Sequence, residues 1–303
     1  MVKTAVNLCG VSLANPIVPA SGTFGFGLEM AETYDLNVLG GISLKGTTLE
    51  PRFGNPCPRI AETPGGMLNS VGLQNPGIDA LVNQKLPALR KIYGGAIIAN
   101  ISGFSVDEYV RCCEKAAAAP ETDIIEVNIS CPNVHGGGLA FGTSPEAAAE
   151  VTREVKAVCL SKPVFVKLSP NVTDVVAIAR ACEDAGADGL TLINTVLGMR
   201  IDIKTRKPVL ANRYGGLSGG AVFPLALRMV NQVAHACSVP VMGCGGVACA
   251  SDALEMMMAG ATAVQVGAEN LRNPLVCKQI TQELPPLMQK LGIEDINEII
   301  ATV

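Results

Sequence analysis

Tryptophan is absent from this sequence, and Phe, Tyr and Trp together make up 4% of its 303 residues. Nucleic-acid binders usually carry a basic patch with aromatics interleaved. Here the formal net charge is −4 and the 23 Lys and Arg are scattered, so nucleic acid is not an expected partner. Only two histidines are present, too few for a His-rich metal site, and no metal is expected. The 11 cysteines contain no Cys-x-x-Cys pair, which removes zinc-ribbon and thioredoxin-type motifs. The first sixteen residues lack the apolar stretch of a signal peptide. The longest run free of Asp, Glu, Lys and Arg, from 229 to 251, holds Asn231, Gln232, His235, Pro240 and three glycines, so no membrane span is expected. A cytoplasmic location follows, with most thiols reduced.

What is present is apolar material in short runs. The hydrophobic fraction is 49% and the charged fraction 17%, which excludes a disordered chain. A chain of this length buries about 73% of its unfolded surface. Length alone allows two domains, but α/β barrels of roughly 250 residues are single domains; the expectation is one domain over 1–303. Eight β-branched runs each end at or next to a polar residue or glycine: Pro16-Ile-Val-Pro-Ala20 (followed by Ser21-Gly22), Gly41-Ile-Ser-Leu-Lys45, Ala96-Ile-Ile-Ala-Asn100, Ile124-Ile-Glu-Val-Asn128, Val164-Phe-Val-Lys167, Leu190-Thr-Leu-Ile-Asn194, Val239-Pro-Val-Met-Gly243 and Ala263-Val-Gln-Val-Gly267. Helical patterns separate most of them, opened by capping signals such as Ser144-Pro145-Glu146 and Thr173-Asp174. This alternation predicts an α/β fold, a (β/α)8 TIM barrel, with an open doubly wound sheet as the alternative. Two intervals, 46–95 and 195–222, are too long for ordinary connections. Both follow the C-terminal end of a strand, where barrels keep their active face, so they are expected to lie over a site as long loop insertions.

Side chains at C-terminal strand ends converge on the barrel mouth. Here they are Ser21, Lys45, Asn100, Asn128, Lys167 and Asn194. Two ammonium groups and three amides, with no carboxylate at those six ends, suit a planar, oxygen- and nitrogen-rich ligand with some negative charge. After strands seven and eight come Gly243-Cys-Gly-Gly246 and Val266-Gly-Ala268, with Gly215-Gly-Leu-Ser-Gly-Gly220 as a third glycine run. Barrels often bind phosphate on backbone N–H groups at these loops, although such glycines also make tight turns.

The sharpest local signal is Asn128-Ile-Ser-Cys-Pro-Asn133, followed by Val134-His135 and three glycines. It places Cys131 just past strand four. A free thiol has a pKa of about 8.5, so a base or nucleophile there needs help to ionise; a structural thiol is the other reading. The Cys131–His135 pair lacks any acyl-transfer motif and is not read as a protease. Cys112, Cys113, Cys159, Cys182, Cys237 and Cys277 fall in helical stretches and read as packing, as does Met256-Met-Met258; His235 reads as structural.

Across nearly its whole length the chain resembles the dihydroorotate dehydrogenases, and among them the catalytic subunit of the NAD-linked class, class IB. The runs that carry the resemblance, in the family's order and spacing, are Pro19-Ala-Ser-Gly-Thr-Phe-Gly-Phe-Gly27, Lys45-Gly-Thr-Thr-Leu-Glu-Pro-Arg-Phe-Gly-Asn-Pro56, Met67-Leu-Asn-Ser-Val-Gly-Leu-Gln-Asn-Pro76, Asn128-Ile-Ser-Cys-Pro-Asn-Val134, Val166-Lys-Leu-Ser-Pro-Asn171, Ile193-Asn-Thr195 with Gly198-Met-Arg-Ile-Asp202, Ala211-Asn-Arg213 with Gly215-Gly-Leu-Ser-Gly219, and Gly245-Gly-Val247. The resemblance implies FMN at the mouth of a (β/α)8 barrel and oxidation of (S)-dihydroorotate to orotate in de novo pyrimidine biosynthesis. Implied FMN contacts are Ser21, Lys45, Gly46, Asn100, Asn128, Lys167, Ile193, Gly219, Gly245, Gly246, Gly267 and Ala268. Implied substrate contacts are Lys45, Asn69, Ser70, Val71, Gly72, Leu73, Asn128, Asn194 and Thr195. Cys131 matches the base that removes the C5 proton, while the C6 hydride goes to flavin N5. The class implies a homodimer core within a heterotetramer, with FAD and a [2Fe–2S] cluster on an iron–sulfur flavoprotein subunit that passes electrons to NAD+. Gly46 departs from the family, where Ala is more usual, and so does His135, where Lys or another polar residue is common. The fumarate-linked soluble class shares the cysteine and stays open. From the residues alone, so does a Schiff-base aldolase or phosphosugar enzyme using Lys167 as nucleophile.

Overall fold

In the computed structural model, which describes residues 2–130 and 141–303, the short aliphatic runs form eight parallel strands. They are β1 (Ile17–Pro19), β2 (Gly41–Ser43), β3 (Ala96–Ile101), β4 (Ile124–Asn128), β5 (Val164–Lys167), β6 (Gly189–Leu192), β7 (Val241–Cys244) and β8 (Ala261–Val266). Their order in the sheet is β1-β8-β7-β6-β5-β4-β3-β2. Sequential neighbours thus pair from β2 round to β8, and β8 pairs with β1, which is the (β/α)8 barrel and not a doubly wound sheet. The seam lies between β1 and β2, where the Gly40 N–H donates to the Ile17 carbonyl at 3.1 Å. Every residue of β3, β5, β6 and β7 is buried. Such strands have helices outside and packed side chains inside.

The helices that follow the strands are α1 (Val106–Ala118), α2 (Pro145–Val158), α3 (Val175–Asp184), α4 (Phe223–Ala236), α5 (Ala250–Met258) and α6 (Val276–Leu291). Three begin at side-chain caps: Ser105 accepts from Glu108 N, Ser144 from Ala147 N, and Asp174 from Val176 N and Ala177 N. Each turns an apolar stripe inward. In α1 the stripe is Tyr109, Cys112, Cys113, Ala116 and Ala117, spaced as a helix face requires. Cys112, Cys113, Cys182 and Cys277 are therefore core, whereas Cys159 and Cys237 sit just past the ends of α2 and α4, the first buried and the second half-buried; burial pushes the thiols of Cys112 and Cys277 up to about 12 and that of Cys182 to about 11. Met256 and Met257 are buried too. His235 stands exposed on α4, its Nδ1 2.8 Å from the Asn231 carbonyl.

The N-terminal hairpin, Val6–Leu8 with Val11–Leu13, buries Val6, Leu8 and Leu13. It sits at the N-terminal end of the barrel, where the Cys9 thiol donates to the Asp188 carbonyl just before β6. The two long intervals are not irregular loops. Ile60–Thr63 and Gly66–Asn69 from the first join Val196–Met199 and Tyr214–Ser218 from the second in one antiparallel four-stranded sheet. Ala61, Leu68 and Leu210 form its own small core. Among the described residues no helix is long and apolar enough to cross a membrane.

The seam supplies a test of barrel closure. A Cβ on Gly40 would overlap the Asn15 carbonyl oxygen. Gly40→Ala is expected to cost about 1–3 kcal/mol, read as a lowered urea midpoint at unchanged slope. Unaltered stability would show that the strands do not approach so closely there.

Candidate active site

Strand ends set the first layer of the site, and register decides which of them meet. Asn100 on β3 pairs with Glu126 on β4, and Asn128 pairs with Lys167 on β5. Paired residues in a parallel sheet face the same way, so these side chains all enter the barrel. A cavity of about 290 Å³ opens above them at the C-terminal face. Of the residues expected from sequence, Ser21, Lys45, Gly46, Asn69, Val71, Gly72, Leu73, Asn128, Lys167, Ile193, Asn194, Thr195, Gly219, Gly245, Gly246, Gly267 and Ala268 line it.

Two expected residues lie elsewhere. Ser70 is buried, and its hydroxyl accepts from Asn55 Nδ2 at 3.2 Å and Asn212 Nδ2 at 3.1 Å, bracing the segment below the inserted sheet. Asn100 is fully buried, beside Gly46 at the cavity wall. Cys131 and His135 fall within 131–140, outside the described residues.

The floor contains a carboxylate that the strand-end reading does not anticipate. Glu126 is wholly buried. Its Oε2 accepts from Ser43 Oγ at 2.9 Å and Asn100 Nδ2 at 2.6 Å, and its Oε1 accepts from Gln265 Nε2 at 2.5 Å. Gln265 Oε1 in turn accepts from Lys167 Nζ at 2.9 Å, and Lys167 lies 3.9 Å from Glu126 Oε2. Burial alone would raise the Glu126 pKa; the Lys167 charge and the hydrogen bonds from Asn100, Gln265 and Ser43 outweigh it and hold the carboxyl below its ordinary range. Glu126 and Gln265 do leave a sequence signal, since each is a lone polar residue inside an aliphatic strand.

Beside this floor a second cluster forms at the end of β4. Asn128 Oδ1 accepts from Ser130 Oγ at 2.7 Å and from Asn194 Nδ2 at 3.2 Å, while Asn194 Nδ2 also donates to Ser130 Oγ. The Tyr109 hydroxyl donates to the Asn128 carbonyl at 2.8 Å, tying α1 to this corner. Asn194 Oδ1 accepts from Thr195 N at 2.7 Å. Ser130, directly before Cys131 in sequence, is absent from the sequence-derived set although it stands within the motif.

The third side of the cavity is backbone. Gly219, Gly245 and Gly246 have φ of 110°, 133° and 78°, conformations that strain other residues. Side chains would also collide there: a Cβ on Gly245 would sit 2.7 Å from Ala226 Cβ, and one on Gly246 2.6 Å from Phe223 Cβ, at the start of α4. Gly267 and Ala268 complete this wall after β8. Ile60, Met67 and Leu217 of the inserted sheet face the cavity from above, so the two long intervals do cover the mouth.

A family model described as dihydroorotate dehydrogenase matches residues 3–288. The chain belongs to the dihydroorotate dehydrogenase family. Among its relatives, a protein of Geobacillus kaustophilus is 58% identical over 300 residues, covering 99% of this chain and 95% of the relative. One of Bacillus caldolyticus is 57% identical over the same shares, and one of Bacillus cytotoxicus is 56% identical over 98% of this chain and 96% of its own. All three are named dihydroorotate dehydrogenase B (NAD(+)), catalytic subunit. The residues present fit the flavin that the dihydroorotate dehydrogenase family implies. Glycine walls allow a phosphate to approach backbone N–H groups. Asn100 Oδ1 is a buried acceptor with no partner among the described residues, the kind of group that a bound ligand satisfies. Among the described residues no three His, Cys, Asp or Glu side chains gather as metal ligands. Lys167 is tied down by Gln265 and Glu126, whereas a Schiff-base enzyme needs an amine free to attack a carbonyl.

The ion pair has a stability consequence with a definite sign. Because the Glu126 pKa is lowered by folding, the stability it contributes is present above the ordinary glutamate range and is lost as pH falls through the folded-state pKa. Lys167→Met leaves a buried carboxylate without its cation and is expected to cost about 3 kcal/mol at pH 7. That deficit should shrink as acid protonates Glu126, measured as urea midpoints of both proteins between pH 7 and pH 4. A deficit independent of pH would contradict the pairing.

Proposed function

We propose that this chain is the FMN-bearing catalytic subunit of an NAD+-linked dihydroorotate dehydrogenase, oxidising (S)-dihydroorotate to orotate in de novo pyrimidine biosynthesis. The observation that carries the reading is convergence: residues from seven barrel strand ends and the two inserted segments, all named by the family's motifs, line one cavity. The whole chain, 1–303, is read as one domain built around it.

In this reading Gly219, Gly245, Gly246, Gly267 and Ala268 receive the FMN phosphate on backbone N–H groups, and Ile193 supports the ring. Ser21, Lys45, Gly46, Asn128 and Lys167 meet the polar edges of the ring, with Asn100 buried directly behind Gly46. FMN, when bound, supplies the acceptor for the electron pair and hydrogen that leave substrate C6. Lys167, anchored from below by Gln265 and Glu126, offers positive charge where negative charge accumulates. Asn69, Asn128, Asn194 and Thr195 pair with the substrate's carboxylate and amide edges, and Lys45 stands between substrate and ring. Val71, Gly72 and Leu73 shape the pocket, while Ser70 holds that segment in place through Asn55 and Asn212. A site whose buried polar groups need partners rejects molecules that lack them. Cys131, as thiolate, takes the proton from substrate C5.

The partner in this reading is an iron–sulfur flavoprotein subunit holding FAD and a [2Fe–2S] cluster, two copies flanking a homodimer of this chain in the cytoplasm. Copurification of such a subunit with NAD+ reduction supports it. Turnover with fumarate by this chain alone would move it to the fumarate-linked class.

General-base removal typically costs 10²–10⁴-fold in rate. Cys131→Ala is expected to lose turnover by about that factor while keeping bound FMN. Cys131→Ser should recover activity as pH rises, because its hydroxyl must be deprotonated. Full turnover in the alanine variant, or matching pH–rate profiles for serine and cysteine, would remove Cys131 from this role.

A further inference from the structure

The barrel floor contains two side-chain amides whose orientation matters, and one group decides both. An amide can present either its oxygen or its nitrogen, but a carboxylate only accepts hydrogen bonds. Glu126 lies against the Asn100 amide at 2.6 Å and the Gln265 amide at 2.5 Å. It therefore draws both NH2 groups towards itself. The oxygens must then point the other way. That of Gln265 accepts from Lys167; that of Asn100 is left buried without a partner among the described residues, 2.9 Å from where a Cβ on Gly46 would stand. Gly46 lines the cavity, so the orphaned acceptor lies buried directly behind its wall.

We propose that Glu126 is a positioning residue for the cofactor: its buried carboxylate fixes the amide polarity of Asn100 and Gln265, so that the wall at Gly46 presents an acceptor and Lys167 is anchored at the floor. This rests on the flavin reading above. The charged and titratable groups around Glu126 are Lys167 from β5 and the Cys244 thiol from β7; Ser43, Asn100 and Gln265 complete its surroundings.

The geometry makes a specific prediction about Glu126→Gln. A glutamine offers one acceptor and one donor where there were two acceptors. Whichever way it turns, one neighbour must invert. Either Asn100 presents its NH2 group at the Gly46 wall, or Gln265 turns its NH2 group onto the Lys167 ammonium. A reciprocal exchange removes the conflict. In the double variant Glu126→Gln with Asn100→Asp, the new amide donates to the carboxylate now at position 100 and still accepts from Gln265. The second oxygen of that carboxylate faces the wall, and Lys167 keeps its acceptor. Asn100→Asp alone sets two carboxylates against each other.

The experiment is a double-variant cycle on the full chain stripped of cofactor. FMN affinity is read by quenching of FMN fluorescence, and unfolding midpoints are read on the same samples. Each single variant is expected to bind FMN roughly tenfold to a hundredfold more weakly, and the double variant to return within about threefold of the parent. If Glu126→Gln does not fold, the comparison of Asn100→Asp with the double variant carries the test. A double variant that binds no better than Asn100→Asp overturns the assignment, because a merely space-filling role gives no reason for the exchange to rescue. A parent chain that takes up no FMN refutes the flavin reading and this assignment with it, while coupling between positions 100 and 126 in the unfolding midpoints supports the amide orientation independently.

Discussion

One buried negative charge organises the mouth of this barrel. Glu126 is fully buried away from solvent, and an unpaired carboxylate in that position would be severely destabilising. It persists because four polar groups from four other strands surround it: Ser43 on β2, Asn100 on β3, Lys167 on β5 and Gln265 on β8. The same contacts that satisfy the carboxylate fix those side chains. A floor of oriented amides and one cation follows from electrostatic necessity, and whatever ring lies above meets a preorganised surface.

The rest of the site is arranged around that floor by backbone. Gly245 and Gly246 after β7 leave a wall without side chains, because α4 packs so closely behind them that a Cβ would strike Ala226 or Phe223; at Gly219 a Cβ would instead strike the Gly66 backbone. On the opposite side the inserted four-stranded sheet supplies both apolar cover and the bracing through Ser70. Its strands are antiparallel and come from segments over a hundred residues apart, 60–69 and 196–218. That sheet is the mechanical link between the first insertion and the second, and it keeps Asn69 and Leu73 at the same cavity as Asn194 and Thr195.

The strand ends are legible in the sequence because parallel barrel strands are short apolar runs that stop at a polar residue. Six side chains read that way are Ser21, Lys45, Asn100, Asn128, Lys167 and Asn194; all but Asn100 line the cavity. Asn100 lies one layer deeper because register sets it level with Glu126, two residues below Asn128. Glu126 and Gln265 escape such a reading for a physical reason: they sit inside strands, where attention to the ends does not reach, and only register shows that they meet. The inserted sheet reads as loop because its strands are short and rich in glycine, and their pairing is nonlocal. Ser130 is overshadowed by its neighbour Cys131. Ser70 falls to the substrate by resemblance, whereas its hydroxyl faces Asn55 and Asn212.

The central claim is that this cavity holds a flavin that accepts electrons from dihydroorotate. Anaerobic titration of the purified, FMN-loaded chain with dihydroorotate tests it most directly. The expected result is loss of the visible flavin absorption with one orotate formed per chain. A chain that retains FMN and keeps its full absorption in excess dihydroorotate would contradict the account.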